Sequence, residues 1–228
     1  MAFVVIQHLS PQHKSILGDI LKKDTSMKVV EVQDGMSIIP DCIYLNPPDK
    51  EVGIFRGIFH LVEPDESRKI RLPIDYFFRS LAGEQAEKAI CIILSGTGSD
   101  GTLGLEAVKG VGGLTMAQAE QQAKDPGMPR SAVDTGMVDL VLPVEKMPGE
   151  LVTYVKQPYL EGSETITGEG LRENFFPKIL MQIRSITGHD FSHYKLNTIG
   201  RRIERRMALH SPLPSKTKHY LQVWKWLI

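Results

Sequence analysis

The apolar positions of this sequence fall into two alternating patterns, short unbroken runs and helical spacings of three and four. The unbroken runs predict strands at residues 3–7, 29–32, 89–94, 114–117 and 138–142. The helical spacings predict helices at residues 11–23, 73–81 and 102–109, another from 129 onward, and one at 145–156. Alternating strands and helices favour an α/β fold with a doubly wound, mostly parallel sheet and helices on both faces. Residues 89–94 are expected to form its central strand.

Two local patterns refine this prediction. Residues 42–62 contain an apolar stretch, a proline pair and two β-rich runs around Arg56-Gly57, which predict a small antiparallel insertion with a hairpin. The first helix is amphipathic and is expected to begin at Ser10-Pro11, with the serine as N-cap and the proline as first helical residue.

The last part of the chain has a different pattern. Residues 158–171 are rich in glycine and polar residues and predict a linker. The spacing then becomes helical, with one helix expected to end at Gly188. The expected domains are therefore an α/β domain at 1–157 and a partial all-α module at 172–228.

Charge supports this division. The whole chain of 228 residues has a formal net charge of zero. Residues 1–171 hold 16 Lys and Arg against 24 Asp and Glu, a net charge of −8, whereas residues 172–228 hold 11 against 3, a net charge of +8. Such an asymmetry indicates two modules with different surroundings.

Composition excludes several classes of protein. Hydrophobic residues make up 42% and charged residues 24% of the chain, which is typical of a globular protein. No apolar run reaches the roughly 18 residues of a membrane span, and the N-terminus lacks the features of a signal peptide. Cys42 and Cys91 lie in apolar runs and are expected to be buried, reduced thiols. A cytoplasmic location without membrane insertion is expected.

Candidate chemistry lies at the ends of two predicted strands. Asp100 follows the strand at 89–94 within the glycine-rich loop GTGSDG, and His8 follows the strand at 3–7. Because the carboxyl ends of parallel strands share one edge of a sheet, we expect the two side chains to lie close together. An imidazole oriented by a carboxylate can remove a proton from a hydroxyl group, as in a nucleophilic hydrolase.

Other interpretations of these residues stay open at this point. The loop has the spacing G-x-G-x-x-G, with Glu120 roughly 20 residues further on, which is typical of a dinucleotide site, although Asp100 would then face the pyrophosphate. The glycines also suit a tight turn without a ligand. A zinc site built from His8 and His13 lacks a third ligand.

Four segments resemble a known family. They are VVIQHLSP at 4–11, IYLNPPD at 43–49, LSGTGSDG at 94–101 and GMPRSA at 127–132. In order and spacing they resemble the catalytic domain of the CheB-type chemotaxis protein-glutamate methylesterase, over residues 2–157. The resemblance implies a doubly wound α/β domain that hydrolyses glutamate methyl esters on chemoreceptors without a cofactor. It implies that His8 is the catalytic histidine, that Asp100 orients it, and that Thr97, Met128 and Arg130 lie beside the substrate.

One part of the family pattern is not matched. The family's nucleophile is a serine in a turn ahead of the histidine segment, and no residue of this chain corresponds to it. Ser10 is expected to cap a helix, while Ser95 and Ser99 are expected to belong to the turn. Without an interior strand and the serine, the 228 residues are expected to be marginally folded and essentially inactive as an esterase. A non-catalytic receptor-binding adaptor is the alternative function.

Residues 176–207 resemble a second family. ITGHDFSHYK at 186–195 and TIGRRIERRM at 198–207 are similar to the start of the helical N-terminal domain of the CheR-type chemoreceptor methyltransferase. The S-adenosylmethionine-binding domain of that family is not matched, so no methyl transfer is expected.

Four arginines of this segment are candidates for receptor binding: Arg201, Arg202, Arg205 and Arg206. The resemblance implies that they contact the acidic methylation region of a receptor, an attraction that salt would weaken. A nucleic-acid contact and a solvated helix face are the competing interpretations. The expected partners are methylated chemoreceptor cytoplasmic regions and other chemotaxis signalling proteins, with no nucleic acid.

Overall fold

A computed structural model describes residues 1–9, 15–64, 70–156, 180–191 and 199–200. The chain divides into two compact units, Met1–Glu145 and Lys146–Ile228. Among the described residues, no helix has both the length and the apolar composition needed to cross a membrane.

The first unit alternates strands and helices. Its strands are β1 (Phe3–Val5), β2 (Lys28–Glu31), β3 (Cys42–Leu45), β4 (Glu51–Phe55), β5 (Ile58–Val62), β6 (Ile90–Ile93), β7 (Leu114–Gln118) and β8 (Leu140–Leu142). Its α-helices are α1 (Leu17–Asp24), α2 (Pro73–Gln85), α3 (Thr102–Gly110) and α4 (Gly127–Asp134). Short 3-10 helices are found at Ala86–Lys88, Glu120–Gln122 and Val144–Lys146. In the second unit, α5 (Met147–Val155) is followed by a helix over 180–187.

Parallel strands with flanking helices confirm the predicted fold class. The strands form two three-stranded parallel sheets, one in the order β1-β3-β2 and the other in the order β6-β7-β8. Within the described part of the chain, β1 and β6 each pair on one side only. The expectation that residues 89–94 form a central strand was therefore wrong, because β6 lies at the edge of its sheet and β7 lies in the middle.

The assignment of residues 42–45 also needs correction. They were expected within an antiparallel insertion, but β3 is the middle strand of a parallel sheet. Cys42, Ile43 and Tyr44 are all buried, which explains an unbroken apolar run where a half-exposed strand would alternate.

The predicted hairpin is confirmed. Strands β4 and β5 pair antiparallel around Arg56 and Gly57, whose φ values of 52° and 72° lie in the left-handed region. Two consecutive residues with positive φ are typical of the two-residue turn that joins the strands of a β-hairpin. The Glu84 carboxylate of α2 accepts the N–H groups of both residues, at 2.9 and 2.8 Å, and so fixes the turn.

Helix α1 begins later than predicted. It starts at Leu17, where the hydroxyl oxygen of Ser15 accepts the main-chain N–H of Leu17 at 3.2 Å. The proposed cap Ser10, with Pro11 and His13, lies outside the described residues. The apolar face of α1 is only partly covered by described residues, since Leu17 and Leu21 are half-buried whereas Ile16 is 70% and Ile20 47% exposed.

The core of the first unit is built around buried aromatic and aliphatic side chains. Tyr44 and Phe59 contact each other there, with ring centroids 4.8 Å apart. Cys42 and Cys91 are both free and buried, as predicted. Burial raises the pKa of the Cys91 thiol far above its usual value, and the nearby charge of Asp139 raises it further.

In the second unit, the helix over 180–187 ends as the sequence predicted. Gly188 has a φ of 73°, and its N–H donates to the carbonyl of Arg184 at 2.9 Å. A glycine in the left-handed conformation is a common helix terminator. Residues 157–179, which include the predicted linker, and the four candidate arginines lie outside the described residues.

Candidate active site

Asp100 lies in the turn between β6 and α3 and is only 3% exposed. Its Oδ1 accepts hydrogen bonds from the main-chain N–H groups of Asp75 at 2.9 Å and Gly101 at 2.8 Å. Its Oδ2 accepts the N–H of Ile74 at 3.0 Å. Burying a carboxylate costs free energy unless its oxygens are hydrogen-bonded, and these three donors meet that need.

Two of the donors belong to the first turn of α2. The N-cap of that helix, Leu72, makes no side-chain capping bond, so Asp100 caps the helix from a distant part of the chain. The positive end of the α2 dipole therefore lies at the Asp100 carboxylate. Asp75 does the same for α3, because its Oδ1 accepts the N–H of Gly104 at 2.7 Å. The two aspartates thus link the starts of α2 and α3.

The close approach of these helices depends on Gly104. A Cβ atom there would lie 2.5 Å from Cβ of Phe78 and 3.0 Å from Cα of Asp75. Asp75 is held in this contact and is 3% exposed. Burial raises the pKa of the Asp75 carboxyl, the bond from Gly104 N–H opposes this, and the charge of Asp100 raises the pKa again.

The structure brings His8 and Asp100 together. Nε2 of His8 lies 2.8 Å from Oδ2 of Asp100, and the histidine side chain is 48% exposed. Because Nε2 faces the carboxylate, the neutral ring carries its proton on Nε2, and Nδ1 has the free lone pair. The ring can therefore accept a proton at Nδ1 while the carboxylate stabilises the resulting imidazolium.

The pair also joins the two parallel sheets. His8 follows the edge strand β1 of one sheet, and Asp100 follows the edge strand β6 of the other. The expected closeness of the two side chains is confirmed, although their strands belong to two described sheets and not to one.

Steric constraints require glycine at several positions of the loop GTGSDG. Gly98 and Gly101 have φ values of 83° and 88°, which non-glycine residues rarely adopt. A Cβ atom on Gly101 would also lie 2.5 Å from Cδ1 of Ile93. The tight turn that delivers Asp100 to α2 therefore requires glycine.

The turn before and within α4 supports this loop. The main-chain N–H of Met128 donates to the carbonyl of Gly96 at 2.8 Å, and the carbonyl of Asp125 accepts the N–H of Gly96 at 2.8 Å. Met128 is buried, and a Cβ atom on Gly96 would lie 2.3 Å from its sulfur. Two motifs distant in sequence, GTGSDG and GMPRSA, are thus packed together.

The remaining candidate residues occupy different positions. Thr97 is exposed at the surface of the loop, whereas Met128 packs beneath it. Arg130 is exposed and forms an ion pair with Glu120. The hydrogen bond that Arg130 donates lowers the pKa of the Glu120 carboxyl. Thr97 is thus the one of the three whose side chain is accessible without breaking a described contact.

Ser95 belongs to the turn, as the sequence predicted. Its hydroxyl oxygen accepts the N–H of Asp125 at 2.9 Å, and its own N–H donates to Oε1 of Gln118 at 2.8 Å. Among the described residues, no hydroxyl group is hydrogen-bonded to the ring of His8.

The geometry argues against a dinucleotide site. In such a site the helix after the glycine loop presents free N–H groups to a pyrophosphate. Here that helix is α3, and its start is occupied by the carboxylates of Asp75 and Asp100. A bound pyrophosphate would therefore lie against two carboxylates.

Sequence reasoning missed two buried polar residues of the site, Asp75 and Asn46. Asp75 lies in an amphipathic helix, where an acidic residue in the first turn is ordinary. Asn46 precedes a proline pair, which resembles a turn. Neither pattern signals a role, because both residues act through contacts with distant parts of the chain.

Within the described ranges, no group of three His, Cys, Asp or Glu side chains could hold a metal ion.

Comparison with known proteins identifies the family of each module. Residues 1–151 match the family described as CheB methylesterase, and residues 174–211 match the all-alpha domain of the CheR methyltransferase. The crystal structure of the Thermotoga maritima CheB methylesterase catalytic domain is similar with a TM-score of 0.61 at 33% identity. The similarity covers 65% of this chain and 81% of that one.

Curated relatives cover one or both modules. A protein-glutamate methylesterase/protein-glutamine glutaminase of Desulfotalea psychrophila is 33% identical over 67% of this chain and 44% of its own length. An uncharacterized 104.1 kDa protein of Rhodobacter capsulatus is 34% identical over 89% of this chain and 23% of its own length. The chain thus spans less than half the length of these relatives. It belongs to the CheB methylesterase family, with a CheR all-alpha domain following in the same chain.

Proposed function

We propose that the first unit is the catalytic domain of a protein-glutamate methylesterase that acts on methylated chemoreceptors in the cytoplasm, and that His8 and Asp100 are its general base and orienting carboxylate. The observation that carries the proposal is the bond of 2.8 Å between Nε2 of His8 and the buried carboxylate of Asp100. Membership of the CheB methylesterase family supplies the reaction class.

The chemistry follows from the free nitrogen of the ring. A serine hydroxyl attacks the ester carbonyl of a methylated glutamate while Nδ1 of His8 takes its proton. The imidazolium, stabilised by Asp100, then gives that proton to the departing methoxide, and methanol leaves. Water, activated by the same nitrogen, hydrolyses the acyl-serine and releases the glutamate carboxylate. Curated relatives are also named protein-glutamine glutaminases, and the same steps would convert a glutamine amide with release of ammonia.

The nucleophile is proposed to be a serine that the 228 residues do not supply. Two features support this: no described hydroxyl is bonded to His8, and the strands β1 and β6 that lead to the pair each have a side that no described strand pairs with. A further parallel strand between β1 and β6 would join the two sheets and end at the same edge as His8 and Asp100. A serine in the turn after such a strand would lie within reach of Nδ1.

The test is methanol release from methylated receptor. The full-length protein, here a chain that also contains the strand and serine proposed above, is expected to release methanol, and its His8→Ala variant to lose most of the rate. The 228-residue chain is expected to be slower by several orders of magnitude, because the dyad alone can only activate water. Comparable rates for the 228 residues and the full-length protein would contradict the missing nucleophile. Receptor binding without methanol release by the full-length protein would support the adaptor function instead.

Receptor binding is proposed to involve Arg201, Arg202, Arg205 and Arg206 of the CheR all-alpha module. The net charge of +8 over residues 172–228 favours contact with an acidic partner. Changing all four arginines to glutamate should weaken binding to a receptor cytoplasmic fragment at low salt, and less so at high salt. Unchanged binding at low salt would rule out this contact.

A further inference from the structure

Asn46 is the described residue that best explains how the histidine side of the site is held. It follows β3, is 5% exposed, and has no place in the proposed chemistry. Its side-chain amide makes two bonds to the main chain of one residue: Oδ1 accepts the N–H of Gln7 at 2.9 Å, and Nδ2 donates to the carbonyl of Gln7 at 3.0 Å. Gln7 is the residue immediately before His8.

The reason for this double bond lies in the chain after β3. Strands β1 and β3 are parallel, and the N–H of Asn46 still donates to the carbonyl of Val5 at 3.3 Å. Residues Pro47 and Pro48 then follow, and proline has no N–H group to continue the ladder. The Asn46 amide supplies one donor and one acceptor at the point where the main chain of β3 can no longer do so.

His8 needs such support because few described contacts hold it. Its side chain is 48% exposed, so packing fixes its ring only in part, and β1 ends at Val5, three residues earlier. The orientation of the ring therefore depends on Asp100 at one end and on the main chain of Gln7 at the other. Without its partners, that main chain would also carry partly buried polar groups without hydrogen bonds.

The geometry points to Asn46 as a positioning residue for the proposed esterase: its amide fixes the main chain of Gln7 so that Nε2 of His8 meets Asp100 and Nδ1 faces the nucleophile. This inference rests on the proposed function. Asn46 acts through His8 and does not itself contact the substrate.

The first measurement is independent of esterase activity. Long-range ¹H–¹⁵N correlation spectra of the full-length protein, labelled at histidine and assigned with a His8→Ala variant, report which ring nitrogen carries the proton. The wild type is expected to show a single Nε2–H form for His8. Asn46→Ala should produce a mixture of Nε2–H and Nδ1–H forms. Asn46→Asp has nearly the same size and keeps the acceptor for Gln7 N–H, but a carboxylate oxygen replaces the donor and faces the Gln7 carbonyl, so it should also give a mixture.

A matched control separates positioning from general destabilisation. Asp34 also fixes a main chain at a distance, since its Oδ1 accepts the N–H of Leu61 in the hairpin at 2.8 Å. Asp34→Ala removes one exposed bond to the main chain, and it should lower stability and leave the His8 spectrum unchanged. If Asn46→Ala does not fold, Asn46→Asp decides the test. A folded Asn46→Asp variant with the wild-type His8 spectrum, or equal changes in the Asp34 control, would overturn the inference.

The second measurement uses methanol release by the full-length protein. Asn46→Asp should lower kcat by about 10- to 100-fold with KM within about twofold, because a small misplacement of a catalytic group affects the reaction more than binding. A change in KM alone would contradict a positioning role. If the His8 spectrum changes as expected but the wild type releases no methanol, the proposed function fails and the positioning of His8 stands.

Discussion

The two halves of the proposed catalytic pair are held in opposite ways. Asp100 is 3% exposed and accepts three main-chain N–H groups in addition to the bond from His8. His8 is 48% exposed, and apart from Asp100 it is held through the main chain of its neighbour Gln7. The carboxylate is part of the core, whereas the imidazole lies at the surface.

This difference separates stability from catalysis. The group that orients the base must not move, and here it is fixed by the starts of two helices that the fold requires in any case. The group that carries protons must reach both nucleophile and leaving group, and surface exposure leaves it free to do so. Changes on the aspartate side should therefore affect folding as well as activity, whereas changes on the histidine side should affect mainly activity.

The largest effect is expected when Asp100 is removed. Asp100→Ala leaves the N–H groups of Ile74, Asp75 and Gly101 without their acceptor and should lower the free energy of unfolding by about 3 kcal/mol or more. Urea denaturation of the full-length protein measures this. The control Asp19→Ala, at an aspartate with an 81% exposed side chain, should change stability by less than about 0.5 kcal/mol. Equal effects of the two changes would contradict the capping role.

The contact between α2 and α3 offers a second test. Gly104→Ala places Cβ 2.5 Å from Phe78 and should cost about 1–3 kcal/mol, because the helices must separate. Gly83→Ala is the matched control within α2, where a Cβ atom meets nothing within 4 Å. This control should be neutral or stabilise by up to about 1 kcal/mol, as expected for alanine in a helix. Equal stability of the two variants would mean that the hydrogen bonds of Asp75 and Asp100 do not depend on the close contact between α2 and α3.

Asp75 gives a prediction with a defined pH dependence. Its pKa in the folded state is raised above the unfolded value of about 3.9, so between these two values the folded state binds more protons. The contribution of Asp75 to the free energy of unfolding therefore falls as pH rises through that window, and it no longer changes above the window. Asp75→Asn keeps an acceptor for Gly104 N–H and removes the buried charge.

The gain in stability of Asp75→Asn over wild type should therefore grow as pH rises through the window. Urea denaturation of both proteins from about pH 3.5 to pH 8 measures the difference. A gain that shrinks with rising pH would mean that the Asp75 pKa is lowered by folding. Asp75→Ala, which also removes the acceptor, should instead destabilise at every pH by about 1 kcal/mol.

The smallest effect on stability is expected at His8. His8→Ala leaves all three main-chain donors of Asp100 in place, and the lost side chain is half exposed. The free energy of unfolding should change by less than about 1 kcal/mol, in contrast to Asp100→Ala. A loss as large as that of Asp100→Ala would remove the distinction between a buried structural aspartate and a surface histidine.

The sequence predicted this fold and site unevenly, for physical reasons. Patterns confined to one element were sufficient for α2, α3 and the hairpin turn at Arg56-Gly57, which the structure confirms. Pairing between strands is not encoded in one segment, so β3 was mistaken for part of an antiparallel insertion. Whether a strand lies at an edge depends on its neighbours, and β6 was misplaced for that reason.

The site shows the same limit. His8 and Asp100 could be found because each follows an apolar run, and the topology of parallel strands brings such ends together. Asp75 and Asn46 could not be found, since their roles depend on bonds to residues 29 and 39 positions away. Their sequence surroundings are those of an ordinary helix start and an ordinary turn.

The central claim is that His8 and Asp100 act as one catalytic unit, and a double-mutant cycle on methanol release tests it most directly. In the full-length protein, His8→Ala and Asp100→Asn are each expected to lower kcat by several orders of magnitude. The double variant is expected to lose little more than His8→Ala alone, because the aspartate acts through the histidine. Losses that multiply in the double variant, or a His8→Ala variant that keeps the wild-type rate, would contradict the claim.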